Sequence, residues 1–84
     1  MRMAGRTKQD YHNYTLRDGR IVVKHGITDD PERRLDQMKR KRLRFTSMTL
    51  DPVAVSESTA RRRERWRIKA YQRSHKGRKP RYNK

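Results

Sequence analysis

Two short apolar runs, Tyr11 to Leu16 and Arg20 to His25, flank an Asp18-Gly19 pair near the start of the chain. That dipeptide is a strong hairpin signal, so both runs read as strands. The stretch Thr28-Asp29-Asp30-Pro31-Glu32 then reads as a helix start. A side-chain acceptor caps, Pro31 takes the first helical position, and acids crowd the first turn. The helix is expected to reach about Arg42, with Leu35 and Met38 inward and a basic far end, as its dipole favours. Phe45 to Leu50 alternates with period two and reads as a third strand, broken by Asp51-Pro52. After Val53 to Val55, Ser56 is the expected N-cap of a second helix ending near Arg73. From Ser74 onward the chain is basic and interrupted by Gly77 and Pro80, too irregular for a helix. The order β-β-α-β-α predicts a small α+β fold, a three-stranded antiparallel sheet flanked by helices. Residues 1–10 are expected to form a basic flexible arm, and 11–84 a single domain with a basic C-terminal tail.

Composition narrows the partners. Of 84 residues, 30% are apolar, a thin supply for a core. Chains of this size bury only about 60% of their extended surface. There is no cysteine, which removes disulfides and thiolate metal sites. No apolar run approaches the ~20 residues of a membrane span, and the basic start lacks the apolar segment of a secretory signal. A cytoplasmic setting is the expectation. Lys and Arg number 25 against 9 Asp and Glu, a formal net charge of +16. Such a surface attracts polyanions and repels its own copies. Nucleic acid is the expected partner, because each neutralised phosphate releases counterions. The basic segments have no continuous apolar face, which argues against a membrane surface.

Glu64 is the residue most at odds with its surroundings. At 100° per residue it falls among Ala60, Ile68 and Tyr71, on the apolar side of the second helix. A carboxylate there is costly unless a cation or hydrogen-bond donors meet it. One account is a salt bridge to Arg61, Arg67 or Arg34; the other is a single Mg²⁺, with water and phosphate oxygens in its remaining positions. Glu57, two turns earlier, is explained as a first-turn acid favoured by the helix dipole. Arg33 reads as part of a solvated face, whereas Arg34 lies beside Leu35 and Met38, closer to the sheet. Tyr14 alone would be a half-buried sheet aromatic. His25 alternates away from Lys24 to the opposite strand face, and Trp66 and Tyr71 read as core.

Tyr14, Lys24, Gly26 and Arg34 follow one another at the spacing of the catalytic half-motif of GIY-YIG nucleases. The chain resembles that family from Tyr11 to Asn83. Tyr14 in NYT stands for the first motif tyrosine, without the flanking Gly-Ile. Lys24 in KHG takes the place of the second, and Gly26 and Arg34 match the glycine and the arginine eight residues on. Glu64 in RRRERWRI matches the metal-binding glutamate, and Asn83 in PRYN the closing asparagine. Met38 stands where many members carry histidine. Certain restriction enzymes resembling the family carry lysine at the second tyrosine, so Lys24 is usable chemistry: partial burial near a cation lowers its pKa and lets it relay a proton.

The resemblance implies a Mg²⁺-dependent DNA endonuclease, with Mn²⁺ as substitute. Its catalytic set would be Tyr14, Lys24, Arg34 and Glu64, with Glu64 the metal ligand. Arg33, His25, Lys39, Arg61, Arg67 and Asn83 are the expected nucleic-acid contacts. A convergent site requires Tyr14, Leu16, Val22 and Lys24 on one sheet face. A three-residue loop Arg17-Asp18-Gly19, with Gly19 at positive φ, would give that parity; a plain two-residue turn would not. The chain leaves no room for a recognition domain, so specificity would come from a homodimer, a protein partner or weak intrinsic preference. RNA remains open as a substrate, and a phage-encoded enzyme would fit the size. The rival expectation is a non-catalytic basic DNA- or RNA-binding protein, a degenerate nuclease or a phage-encoded interaction protein.

Overall fold

The computed structural model describes residues 9–83. Apart from Gln9 and Asp10, the expected N-terminal arm lies outside the described residues. The hairpin forms as β1 (His12–Asp18) and β2 (Ile21–Thr28), paired antiparallel from His12↔Thr28 to Asp18↔Ile21. The expected three-residue loop is not what closes it. Arg17 and Asp18 remain in the ladder opposite Val22 and Ile21, and the turn is Gly19-Arg20. Gly19 does take positive φ, +64°, at the first central position, as in a type II′ turn.

The extra residue has moved into the strand. Pairing is interrupted between Leu16 and Arg17, so Val23 is left over between Val22 and Lys24. A bulge admits two residues on one strand against one on its partner. Val23 is thereby buried, 1% exposed, and burial of its apolar side chain favours the bulge at this position over one in the loop. Downstream of it Leu16 faces Lys24 and Tyr14 faces Gly26. The parity expected of Tyr14, Leu16 and Lys24 is therefore met by a different device. Val22 is the exception, because it pairs with Arg17 on the other face.

Helix α1 (Pro31–Arg40) starts as its sequence predicts. The Asp30 side chain accepts from the Arg33 amide at 3.1 Å, and Pro31 occupies the first position. It stops two residues short of the expected Arg42. Arg42 adopts φ +58°, its N–H bonds to the Lys39 carbonyl, and the Leu43 N–H reaches back to the Met38 carbonyl at 3.2 Å. This is the Schellman arrangement, with an arginine where glycine is usual. Leu43 then packs on the core, which compensates for the left-handed backbone.

Strand β3 (Ser47–Leu50) pairs antiparallel with β1, giving the sheet order β2-β1-β3. Tyr14, Leu16, Val23 and Met38 form the buried cluster, with Leu43, Phe45, Met48, Leu50 and Tyr82 against it. Past Asp51-Pro52 the chain returns to bridge Tyr11 with Val55. Helix α2 (Glu57–Ser74) is capped by Ser56, whose hydroxyl accepts from the Thr59 amide at 3.2 Å. It packs on β2 and β1, held by a bond from Asn13 Nδ2 to the Ala60 carbonyl at 2.9 Å. Beyond α2 the segment is irregular, as expected, but it is not loose. Pro80 is fully buried, and Tyr82 and Asn83 dock along the outer edge of β2.

Candidate active site

Four elements converge on one cleft of about 340 Å³. Tyr14 comes from β1, Lys24 and Gly26 from β2, Arg34 from the first turn of α1, and Glu64 from the second turn of α2; Asn83 closes the rim. The bulge at Val23 puts Lys24 on the Tyr14 side of the sheet, and Gly26 makes room for the Tyr14 ring lying across it. A Cβ on Gly26 would overlap Cζ and the hydroxyl of Tyr14. Gly26→Ala should therefore destabilise the fold by about 1–3 kcal/mol, the usual range for overpacking, and displace the tyrosine as well. Urea unfolding measures the first effect. An alanine variant as stable as the parent would mean that the ring yields freely.

Asn83 fixes the outer edge of β2. Its Oδ1 accepts from the His25 amide at 2.7 Å, and its Nδ2 donates to the His25 carbonyl at 2.8 Å. The Tyr82 amide bonds to the Val23 carbonyl at 2.8 Å. The strand on either side of Lys24 is thus pinned by two residues nearly sixty positions away in sequence. Tyr82 also lines the cleft, with its hydroxyl accepting from the Arg44 amide at 2.9 Å.

Glu64 is half-buried, and none of the salt-bridge partners expected for it is present. Arg61 binds Glu57 at 2.7 Å, and Arg67 binds Asp51 at 2.8 Å. Among the described residues no ion pair or hydrogen bond reaches the Glu64 side chain. Arg34 has the complementary property: its Nε is buried without a hydrogen-bond partner. A carboxylate and a guanidinium nitrogen, both lacking protein partners, share one cleft. Buried polar groups are normally satisfied; Arg34 Nε and, outside the cleft, Asn13 Oδ1 are exceptions, whereas the half-buried Glu64 carboxylate opens into the cleft free of a protein cation.

The two remaining groups shift in opposite directions. Burial raises the Tyr14 phenol above its ordinary 10.0, with Glu64 adding to the effect and Arg34 opposing it. Tyr14 therefore stays protonated at neutral pH and acts as a hydrogen-bond donor. Lys24 is pushed below its ordinary 10.5, first by burial and then by the Arg34 and Lys41 charges, against the pull of Glu64. The lysine, more than the tyrosine, is the group suited to accept a proton. Lys41, not among the expected site residues, acts on Lys24 from the C-cap of α1.

The expected nucleic-acid contacts divide. Arg61 and Asn83 line the cleft. Arg33 is exposed and only loosely paired with Asp30, at 3.9 Å, and Lys39 is exposed in the last turn of α1. His25 faces away and meets Thr15 Oγ1 at 3.0 Å; burial, with Arg67 and Arg17, lowers its pKa. Arg67 is tied to Asp51 with both side chains half-buried. Trp66 is not core: it is 65% exposed. Tyr71 is half-buried and stacks on His75 with ring centroids 3.6 Å apart.

The donor set suits one kind of metal. Glu64 is the one carboxylate lining the cleft, which has no His or Cys among its lining residues, so Glu64 would be the single protein ligand. Mg²⁺ fits that arrangement, because it keeps several waters and is often held by one carboxylate plus substrate phosphates. No family model matches the chain, and no curated protein or solved structure matches it either.

Proposed function

We propose that the protein is a small Mg²⁺-dependent endonuclease of the GIY-YIG type that hydrolyses DNA phosphodiester bonds. One observation carries the reading: Tyr14, Lys24, Arg34 and Glu64 meet in one cleft, and Glu64 has no protein partner among the described residues. Arg34 would grip a non-bridging phosphate oxygen through its guanidinium and stabilise the charge that grows in the transition state. Lys24 would take a proton from the attacking water, with the Tyr14 hydroxyl orienting that water. Glu64 would hold the Mg²⁺, whose chemistry when bound is neutralisation of charge at the leaving oxygen. Asn83 is a positioning residue, acting on Lys24 through the β2 backbone.

A supercoiled-plasmid nicking assay tests the proposal. Nicking is expected with Mg²⁺ or Mn²⁺ and not with EDTA. The rate should climb with pH as Lys24 loses its proton, with the inflection below the 10.5 of an ordinary lysine. Binding should weaken steeply with salt in either case, because phosphate contacts dominate it. Salt-sensitive binding without nicking under either metal would favour the non-catalytic nucleic-acid binder instead.

A further inference from the structure

The face of α2 turned away from the cleft has a different character. Trp66 is two residues beyond Glu64, about 200° around a helix of 3.6 residues per turn. It is 65% exposed and forms a shallow cleft of about 330 Å³ with Arg62, Arg63 and Arg67. Arg62, Arg63, Lys69 and Arg73 are exposed, and the same periodicity groups them around the tryptophan. The two acids of the helix, Glu57 and Glu64, fall together on the opposite side. The result is a flat aromatic surface set in an uncompensated positive ridge. A chain with so few apolar residues has left its largest one out of the core, with most of its surface in solvent.

We propose that this ridge binds an unpaired segment of the polynucleotide, one base stacking on the Trp66 indole while Arg62, Arg63, Lys69 and Arg73 neutralise the neighbouring phosphates. Aromatic platforms in positive grooves are how proteins hold single strands without reading sequence, since every base has a π-face. A second copy of this chain is disfavoured, because each carries +16. A duplex is disfavoured by stiffness: it resists bending over about 150 bp, whereas the ridge and the cleft lie on opposite sides of a helix about 10–12 Å across. A flexible single strand can follow that surface from one side to the other. The substrate class this implies is DNA with an unpaired flap, gap or branch next to the cleavage point. The inference takes its polymer from the nuclease reading but does not need cleavage to occur.

Trp66 is the sole tryptophan of the chain, so its emission reports on this surface alone. Titration with an oligothymidylate in EDTA should quench it, and a blunt duplex of equal length should quench it far less. Trp66→Ala should weaken single-strand binding by roughly 5- to 150-fold, the equivalent of ~1–3 kcal/mol for a stacked base. It should leave duplex binding nearly unchanged, and Trp66→Phe should retain most of the affinity. An exposed side chain can be removed without loss of fold, which circular dichroism verifies. Emission that stays constant while the oligonucleotide saturates the protein overturns the proposal, as does equal weakening toward both ligands. Quenching by an acidic peptide but not by oligothymidylate also overturns it and makes the ridge a protein-binding surface. Normal plasmid nicking by Trp66→Ala, alongside lost single-strand binding, would separate this ridge from the cleft. Failure of nicking in every variant, with quenching intact, would overturn the cleft chemistry alone.

Discussion

Glu64→Gln should abolish cleavage while DNA binding is kept or becomes tighter. The substitution preserves size and hydrogen-bonding capacity and removes only the charge. That charge is the single anion in a cleft otherwise lined by Lys24, Arg34 and Arg61. Without it no carboxylate remains among the residues lining the cleft, and a loss of at least about 10²–10³-fold is expected, the scale seen when one group stabilising a transition state is removed. The phosphates, meanwhile, lose a repelling neighbour. Glu57→Gln is the matched control on the same helix. Glu57 is exposed and engaged with Arg61, so its loss should leave nicking largely intact and cost a little helix stability. Nicking and filter-binding assays on the two variants are sufficient. Normal cutting by the Glu64 variant together with loss in the Glu57 variant would move the metal ligand to the first turn of α2.

Arg34→Met should also stop cleavage, by roughly 10²–10³-fold, for a different reason. The methionine keeps the packing of the side-chain stem but cannot neutralise a phosphate. Mn²⁺ binding, followed by its paramagnetic signal, should survive, because the carboxylate is untouched. Stability should move the other way. The buried Nε has no partner, and an unsatisfied buried polar group costs about 1–3 kcal/mol. Arg34 also repels Lys24. The variant should therefore unfold at the same or higher urea concentration than the parent. A variant that is less stable yet cuts normally would make Arg34 a structural residue. Inactive but sturdier is the expected signature of a group placed for binding at the expense of folding.

The elements were legible where local rules decide them. Asp18-Gly19 announced the hairpin, Asp30-Pro31 the first helix and Ser56 the second, because caps and turns are short-range chemistry. The details that shape the site were set by tertiary contacts. Whether the extra hairpin residue sits in the loop or at Val23 depends on burial of that valine in the cluster with Tyr14, Leu16 and Met38, which the turn residues alone do not determine. The end of α1 at Arg40 hangs on Leu43 reaching the core. Glu64 stood out because a carboxylate among apolar positions contradicts its periodicity. The partner of Arg67 did not, since Asp51 is sixteen residues away and no spacing rule connects them. Trp66 was misplaced because hydrophobic character suggests burial, whereas the helix turns that position outward.

Among the described residues the outer edge of β2 has no neighbouring strand; part of its backbone is satisfied by the side chain of Asn83 and the amide of Tyr82. Open edges template pairing with other chains. If 80–83 lift away in a local opening, the strand carrying Lys24 loses its anchor and an unpaired ladder is uncovered at the same moment. The amide of His25 would exchange its hydrogen at the rate of that opening, well before the domain as a whole unfolds. The placement of Lys24 and resistance to aggregation are then two readings of one equilibrium, held by Tyr82 and Asn83 together.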